Sequence, residues 1–176
     1  MKLLDRIVYW IDRINEWVGM GAAWLTTALV LVVCYDVFTR YLLRRSVVAI
    51  QELEWHLFAT IFLLGAAFTL KYDRHVRVDV LYTKFTKRQQ ALVNILGGLL
   101  FLIPFSILVI LSSKNFVAIS FQIRETSPDP GGLPARYILK ACIPVGFFLL
   151  FLQGISLVVK SIKAYRDPSD TPESAE

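Results

Sequence analysis

Apolar residues in this chain come in blocks rather than in strict alternation with polar ones. Four stretches contain no Asp, Glu, Lys or Arg: Trp17 to Tyr35, Trp55 to Leu70, Ala91 to Ser113 and Ala141 to Val159. They run to 19, 16, 23 and 19 residues, and a helix needs about 20 apolar residues to cross the hydrocarbon core of a bilayer. The pattern therefore predicts four membrane-spanning helices, over about 17–40, 52–70, 91–113 and 138–160 once flanking residues are added. The second block is the shortest. At 1.5 Å per residue it covers about 24 Å, so residues from Glu52 to Glu54 must complete the crossing at an interface.

The segments between the blocks carry their own patterns. In the first 16 residues Leu3, Leu4, Ile7, Val8, Trp10, Ile11 and Ile14 share one helical face, with Lys2, Asp5, Arg6, Tyr9, Asp12, Arg13 and Glu16 on the other. That amphipathic division predicts a helix lying in the membrane surface, with packing against a partner protein as the competing reading. Residues His75 to Val80 alternate polar and apolar, which suits a short extended segment. Asp79 can then cap a second surface helix through Leu81, Tyr82 and Phe85, with Lys84, Lys87 and Arg88 on its wet side. Three prolines and two glycines between Ser127 and Pro134 exclude helix and favour a chain of turns. The Pro-, Ser- and acid-rich residues 167–176 predict a disordered tail. The fold class read from these patterns is all-α integral membrane. It comprises one membrane domain over residues 1–166: four spans, an N-terminal interfacial helix over 1–16 and a short interfacial helix in the middle connection.

Composition agrees with a membrane protein. Of 176 residues 56% are hydrophobic and 19% charged, where soluble domains carry about a quarter charged residues; the mean hydropathy is +0.55. A net charge of +5 raises the question of nucleic acid, but the basic residues flank the apolar blocks instead of clustering on one solvated face. They report topology. The two termini and the middle connection hold 12 Lys and Arg, against 7 in the other two connections, which predicts that both termini are cytoplasmic. Asp5, Arg6, Asp12, Arg13 and Glu16 interrupt the region where the apolar core of a cleaved signal peptide would sit.

Candidate chemistry is sparse. Asp36 and Arg40 stand at i and i+4 near the end of the first span, a spacing suited to an ion pair, with substrate contact the alternative. Glu52 and His56 share a face at the start of the second, and Glu52 is within reach of Arg40 across a short hairpin; the alternative leaves Glu52, Glu54 and His56 facing interfacial water. His56 and His75 fall at opposite ends of the spans, so they cannot jointly ligate one haem, and no His, Cys and carboxylate cluster has metal-ligand spacing. Cys34 and Cys142 both fall toward the same end, where a disulfide is conceivable and small apolar packing is preferred. No nucleophile elbow, phosphate-binding loop or catalytic carboxylate pair occurs, so no enzyme is predicted. Gly97, Gly98, Gly146 and Gly154, near Pro104 and Pro144, offer surfaces for close helix approach, within the bundle or toward another protein. A solitary transporter would need repeats, broken helices and polar groups at mid-depth. Thr26, Thr27, Thr60, Ser106 and Gln153 are the chief mid-span polar residues, and the two halves show no repeat. An accessory subunit fits better.

Over residues 1–165 the chain resembles the small membrane subunit (DctQ type) of tripartite ATP-independent periplasmic (TRAP) transporters. The residues that carry the resemblance are Val37-Phe38-Thr39-Arg40-Tyr41, Gln51-Glu52-Leu53, Leu64-Gly65-Ala66-Ala67 and His75-Val76-Arg77-Val78-Asp79. Where the family often has two consecutive glutamates this chain has Gln51-Glu52, so that role is carried over to Glu52 alone. Gly131 to Pro134, with Lys140 and Pro144, resembles one branch of the family. The resemblance implies a sodium-driven importer of small organic anions, carboxylates or sulfonates. In that scheme a periplasmic protein captures substrate and engages transiently, and a large elevator-type membrane subunit moves it with coupled sodium. The small subunit braces the large one within the phospholipid bilayer and holds no substrate, cofactor or nucleic acid. The resemblance also implies that Arg40 and Glu52 clamp the outer hairpin, that Gly65 permits close packing, and that His75, Arg77 and Asp79 tie down the inner loop. The rival readings are a membrane anchor of a respiratory or redox complex and an independent small channel.

Overall fold

In a computed structural model, which describes residues 2–72, 82 and 85–166, the chain forms four long helices: α1 (Lys2–Tyr41), α2 (Val48–Lys71), α3 (Lys87–Gln122) and α4 (Arg136–Arg166). No strand occurs among the described residues. Each helix is long and apolar enough to cross a membrane. The second span, short by its charge-free core, runs to 24 residues because Val48 to Leu53 extends it. That gives about 36 Å, enough to cross.

Helix α4 lies at the centre and packs against each of the other three, while α1 and α2 pair on one flank and α3 stands on the other. Small residues make this possible. In α3 the buried positions Ala91, Gly98, Ser106, Ser113 and Ser120 recur every seven residues except for one interval of eight. That extra residue falls in a π-turn over Gly98–Leu102, where the Ile103 N–H bonds to the Gly98 carbonyl five residues back. Pro104 follows at once and has no N–H for the carbonyl of Leu100. The wide turn absorbs one residue and keeps the small stripe aimed at α4. The hydroxyls of Ser106 and Ser113 bond back to the Leu102 and Ile110 carbonyls at 2.7 and 3.1 Å, so both serve as small residues without an orphaned polar group. Opposite them, a Cβ on Gly154 would meet Leu102 at 3.0 Å and one on Gly98 would meet Val158 at 2.7 Å.

One sequence expectation is corrected here. Residues 2–16 form no separate surface helix: they begin α1, which is helical without a break for 40 residues, about 60 Å. Asp5, Asp12 and Asn15, assigned to a wet face or not at all by the amphipathic pattern, bond to α4 instead. A Cβ on Gly65 would meet nothing within 4 Å, as is also true of Gly97, so neither makes a close approach inside the described chain. Gly146 takes that part, with the Leu63 carbonyl oxygen 2.6 Å from its virtual Cβ. The expected interfacial helix capped by Asp79 falls largely outside the described residues, as does the tail over 167–176; Lys87 and Arg88 open α3 itself, which Thr86 and Gln89 close with a reciprocal capping box.

Candidate functional site

Polar side chains gather at the two ends of the bundle. At the end away from the N-terminus, Glu52, the fifth residue of α2, is 4% exposed. Its carboxylate accepts from the Ser127 hydroxyl, from the Leu133 N–H at 2.6 Å and from the Arg136 guanidinium at 3.2 Å. Ser127 and Leu133 belong to the Pro- and Gly-rich connection between α3 and α4, whose turns fold around the carboxylate, and Arg136 opens α4. The Ser127 N–H bonds to the Leu133 carbonyl at 3.1 Å, and the Asp129 N–H to the Ser127 hydroxyl at 3.1 Å. Gly131 sits at φ +81°, a conformation that favours glycine. Gly132 touches the carboxylate so closely that a Cβ would fall against Ser127 and 2.7 Å from Glu52 Oε2. Arg136 lies over the Trp55 ring at 5.5 Å.

A second carboxylate ties the same connection to α4. Glu125 accepts from Lys140 and, at 2.6 Å, from the Ser120 hydroxyl. The Lys140 ammonium, then Ser120, hold its carboxyl below the ordinary 4.5 of a glutamate. Asp36 pairs with Arg40 one turn on, as the i, i+4 spacing predicts, and its own carbonyl accepts from Thr39.

The clamp implied by the resemblance is thereby corrected. Glu52 does hold a loop, but the loop is the one before α4, and its cation is Arg136; Arg40 stays on α1 with Asp36. Proximity along the short α1–α2 hairpin suggested Arg40, whereas Arg136 is 84 residues from Glu52 in the chain and carried no local signal.

The N-terminal end is held helix to helix. Asp12 accepts from Gln153 at 3.0 Å, from Ser156 at 2.8 Å and from Lys160, three residues on one face of α4. One turn along α1, Asn15 donates to Gln153 at 2.6 Å, and one turn the other way from Lys160, Lys163 pairs with Asp5. Glu16 joins α1 to α2 through Lys71 at 3.1 Å and Tyr72 at 3.4 Å. The amphipathic pattern assigns Asp5 and Asp12 to the wet face. The matching signal was the run Gln153, Ser156, Lys160, Lys163 at intervals of three and four on α4.

His56 bonds through Nδ1 to the Glu52 carbonyl oxygen at 2.6 Å and stacks against Trp55. Cys142 lies 4.0 Å from the Thr60 hydroxyl, and both cysteines are free thiols. Among the described residues no group of three His, Cys, Asp or Glu side chains could hold a metal ion. His75, Arg77 and Asp79 lie outside the described residues.

The class so defined is a multi-pass membrane protein whose buried charges are engaged in holding its own helices and loops together. The family follows from comparison: residues 29–164 match the model of the DctQ component of tripartite ATP-independent periplasmic transporters, and the chain belongs to that family. No curated protein sequence matches it significantly. It is accordingly a transporter subunit of the bacterial inner membrane rather than an enzyme, one that works with a large membrane component and a periplasmic binding protein.

Proposed function

We propose that this chain is the small permease subunit of a sodium-coupled importer of small organic anions, carboxylates or sulfonates, and that it braces the large elevator-type component without contacting substrate. The observation that carries this reading is the closure of the bundle at both ends, by Glu52 on the α3–α4 connection and by Asp12 on α4. Bonds of that kind fix four helices as one body, which is what a static support for a moving neighbour requires. Sodium coupling belongs to the large component in this scheme. The excess of Lys and Arg flanking the N-terminal end supports a cytoplasmic position for both termini and a periplasmic one for the Glu52 clamp.

Reconstitution tests it. The large component, its binding protein and this chain in liposomes with an inward sodium gradient should accumulate an organic anion, and leaving out this chain should abolish uptake. Full-rate transport by the large component alone would sink the brace.

A further inference from the structure

Helix α1 is the peripheral member of the bundle, and its outward face has a regular pattern. Leu3, Trp10, Trp17, Trp24, Leu31 and Phe38 recur every seven residues, and all six are exposed. From Leu3 to Phe38 the ridge rises about 52 Å, and even a 40° tilt leaves it spanning about 40 Å, more than the hydrocarbon core. Lipid tails cannot cover all of it.

The middle of the ridge differs from the corresponding faces of α2 and α3. The charge-free stretch 17–35 centres on residue 26, so Trp24 and Thr27 lie within about 3 Å of mid-depth along the axis. Trp24 is 77% exposed and its indole N–H has no partner among the described residues; the exposed Thr27 hydroxyl has none there either, whereas its neighbour Thr26 bonds to the Ala22 carbonyl at 3.3 Å. Gly21, one turn away, has open space where a Cβ would be. At the middle of α2 and α3 the outward residues are instead Phe62 and Phe101, 69% and 73% exposed, with no polar atom. Hydrocarbon accommodates those phenylalanines. It offers no acceptor to an indole N–H at mid-depth, where an unsatisfied polar group is costly.

We infer that the Leu3–Phe38 ridge of α1 is the surface on which the large membrane component docks, through a transmembrane helix that brings a backbone carbonyl or hydroxyl acceptor to Trp24 and approaches closely over Gly21. A strict seven-residue repeat drifts by about 20° per heptad around a straight helix, so the partner helix crosses α1 with the left-handed wrap of a coiled coil. The inference rests on the reading that the large component is this chain's partner.

The test is photocrosslinking in the co-expressed complex, with benzoylphenylalanine replacing Trp24 or Leu31 and, in parallel, Phe62 or Phe101. Adducts to the large component from 24 and 31, and lipid adducts from 62 and 101, are expected. Trp24→Phe, which keeps the ring and removes the N–H, should lower recovery of the large component on the tagged small one by roughly threefold. Adducts to the large component from 62 or 101 but not from 24 and 31 would overturn this face while leaving the partnership intact. Failure of all four positions together with failure to co-purify would overturn the partnership and the docking face with it.

Discussion

The two ends of the bundle are closed by different means. At the N-terminal end helix meets helix, and Asp12 is served by three side chains that α4 presents at its own periodicity, with Lys160 half in solvent. At the other end a helix meets a loop, and Glu52 is enclosed by a hydroxyl, a backbone N–H and a guanidinium, with glycine against it. A helix face can supply donors only at intervals of three or four residues, and it leaves long side chains room to move. A turn-rich loop can wrap a single carboxylate, but it depends on that carboxylate for its shape. The loop-built end should therefore be the more brittle of the two.

Removing Glu52 should have the largest effect. Glu52→Ala leaves Arg136 without its counter-charge and the Leu133 N–H without its acceptor, and breaking a buried pair from one side is strongly destabilising. A fall of roughly 5–10 °C in the unfolding midpoint of the purified protein is expected, together with faster proteolysis between 123 and 135. Asp12→Asn should cost less, about 1 kcal/mol, because the amide keeps an acceptor for Ser156 and because Lys160 is free to find water. Unfolding of the two variants by thermal shift ranks them. If Asp12→Asn proved the more damaging, the contrast between a brittle and a tolerant end would be wrong.

Charge screening sharpens the same contrast. Lys163 and Asp5 are each about half exposed, so their pair should weaken as salt rises past the point where the Debye length falls to about 3 Å, near 1 M. The Glu52 site is 95% enclosed at the carboxylate and should be indifferent. Hydrogen exchange of α1 residues 3–12 and of residues 127–133, followed from low salt to 1 M, should show faster exchange only in the former.

How far the sequence foretold this arrangement follows from the range of the interactions. The four helices were legible because each signal, a charge-free run, is local. The Asp36–Arg40 pair was legible for the same reason, one turn on one helix. Glu52 was picked out by resemblance, and its enclosure bears on why a carboxylate sits there, but Arg136 could not be read: a sequence separation of 84 is set by which helices become neighbours. A glycine in a span is ambiguous between close approach inside the bundle and open space on its surface, and at Gly65 the described chain leaves open space. The small stripe of α3 was hidden by its own irregularity, since the interval of eight at the π-turn breaks a search for sevens. The continuity of α1 was missed because amphipathicity reports a wet and a dry side without saying whether the dry side faces lipid or protein.

Acid tests the loop-built end at smaller scale. Glu125 has its folded-state pKa held below 4.5, chiefly by Lys140 and then Ser120. A group depressed in the folded state contributes stability that is fully present above its unfolded value and is lost as pH falls through the folded one. The Glu125 contribution is therefore intact at neutral pH and disappears below about pH 4.5. In Glu125→Gln the group cannot titrate, so wild type and variant should differ in unfolding midpoint at pH 7 and converge toward pH 3. Protease access to the 123–135 connection should rise over that same interval in wild type and rise less in the variant, where the Glu52 carboxylate alone remains to be protonated.

The smallest effect is a predicted absence. Arg40 and Glu52 have no partner in common, so their substitutions should act independently. Arg40→Ala alone uncovers Asp36 on α1 and leaves the α3–α4 connection as it was. The double variant Arg40→Ala with Glu52→Ala should then unfold at the midpoint given by adding the two single shifts, within measurement scatter. A marked departure from additivity would restore the Arg40–Glu52 clamp and tie the α1–α2 hairpin to the loop-built end, which would then be closed across both of its connections instead of one.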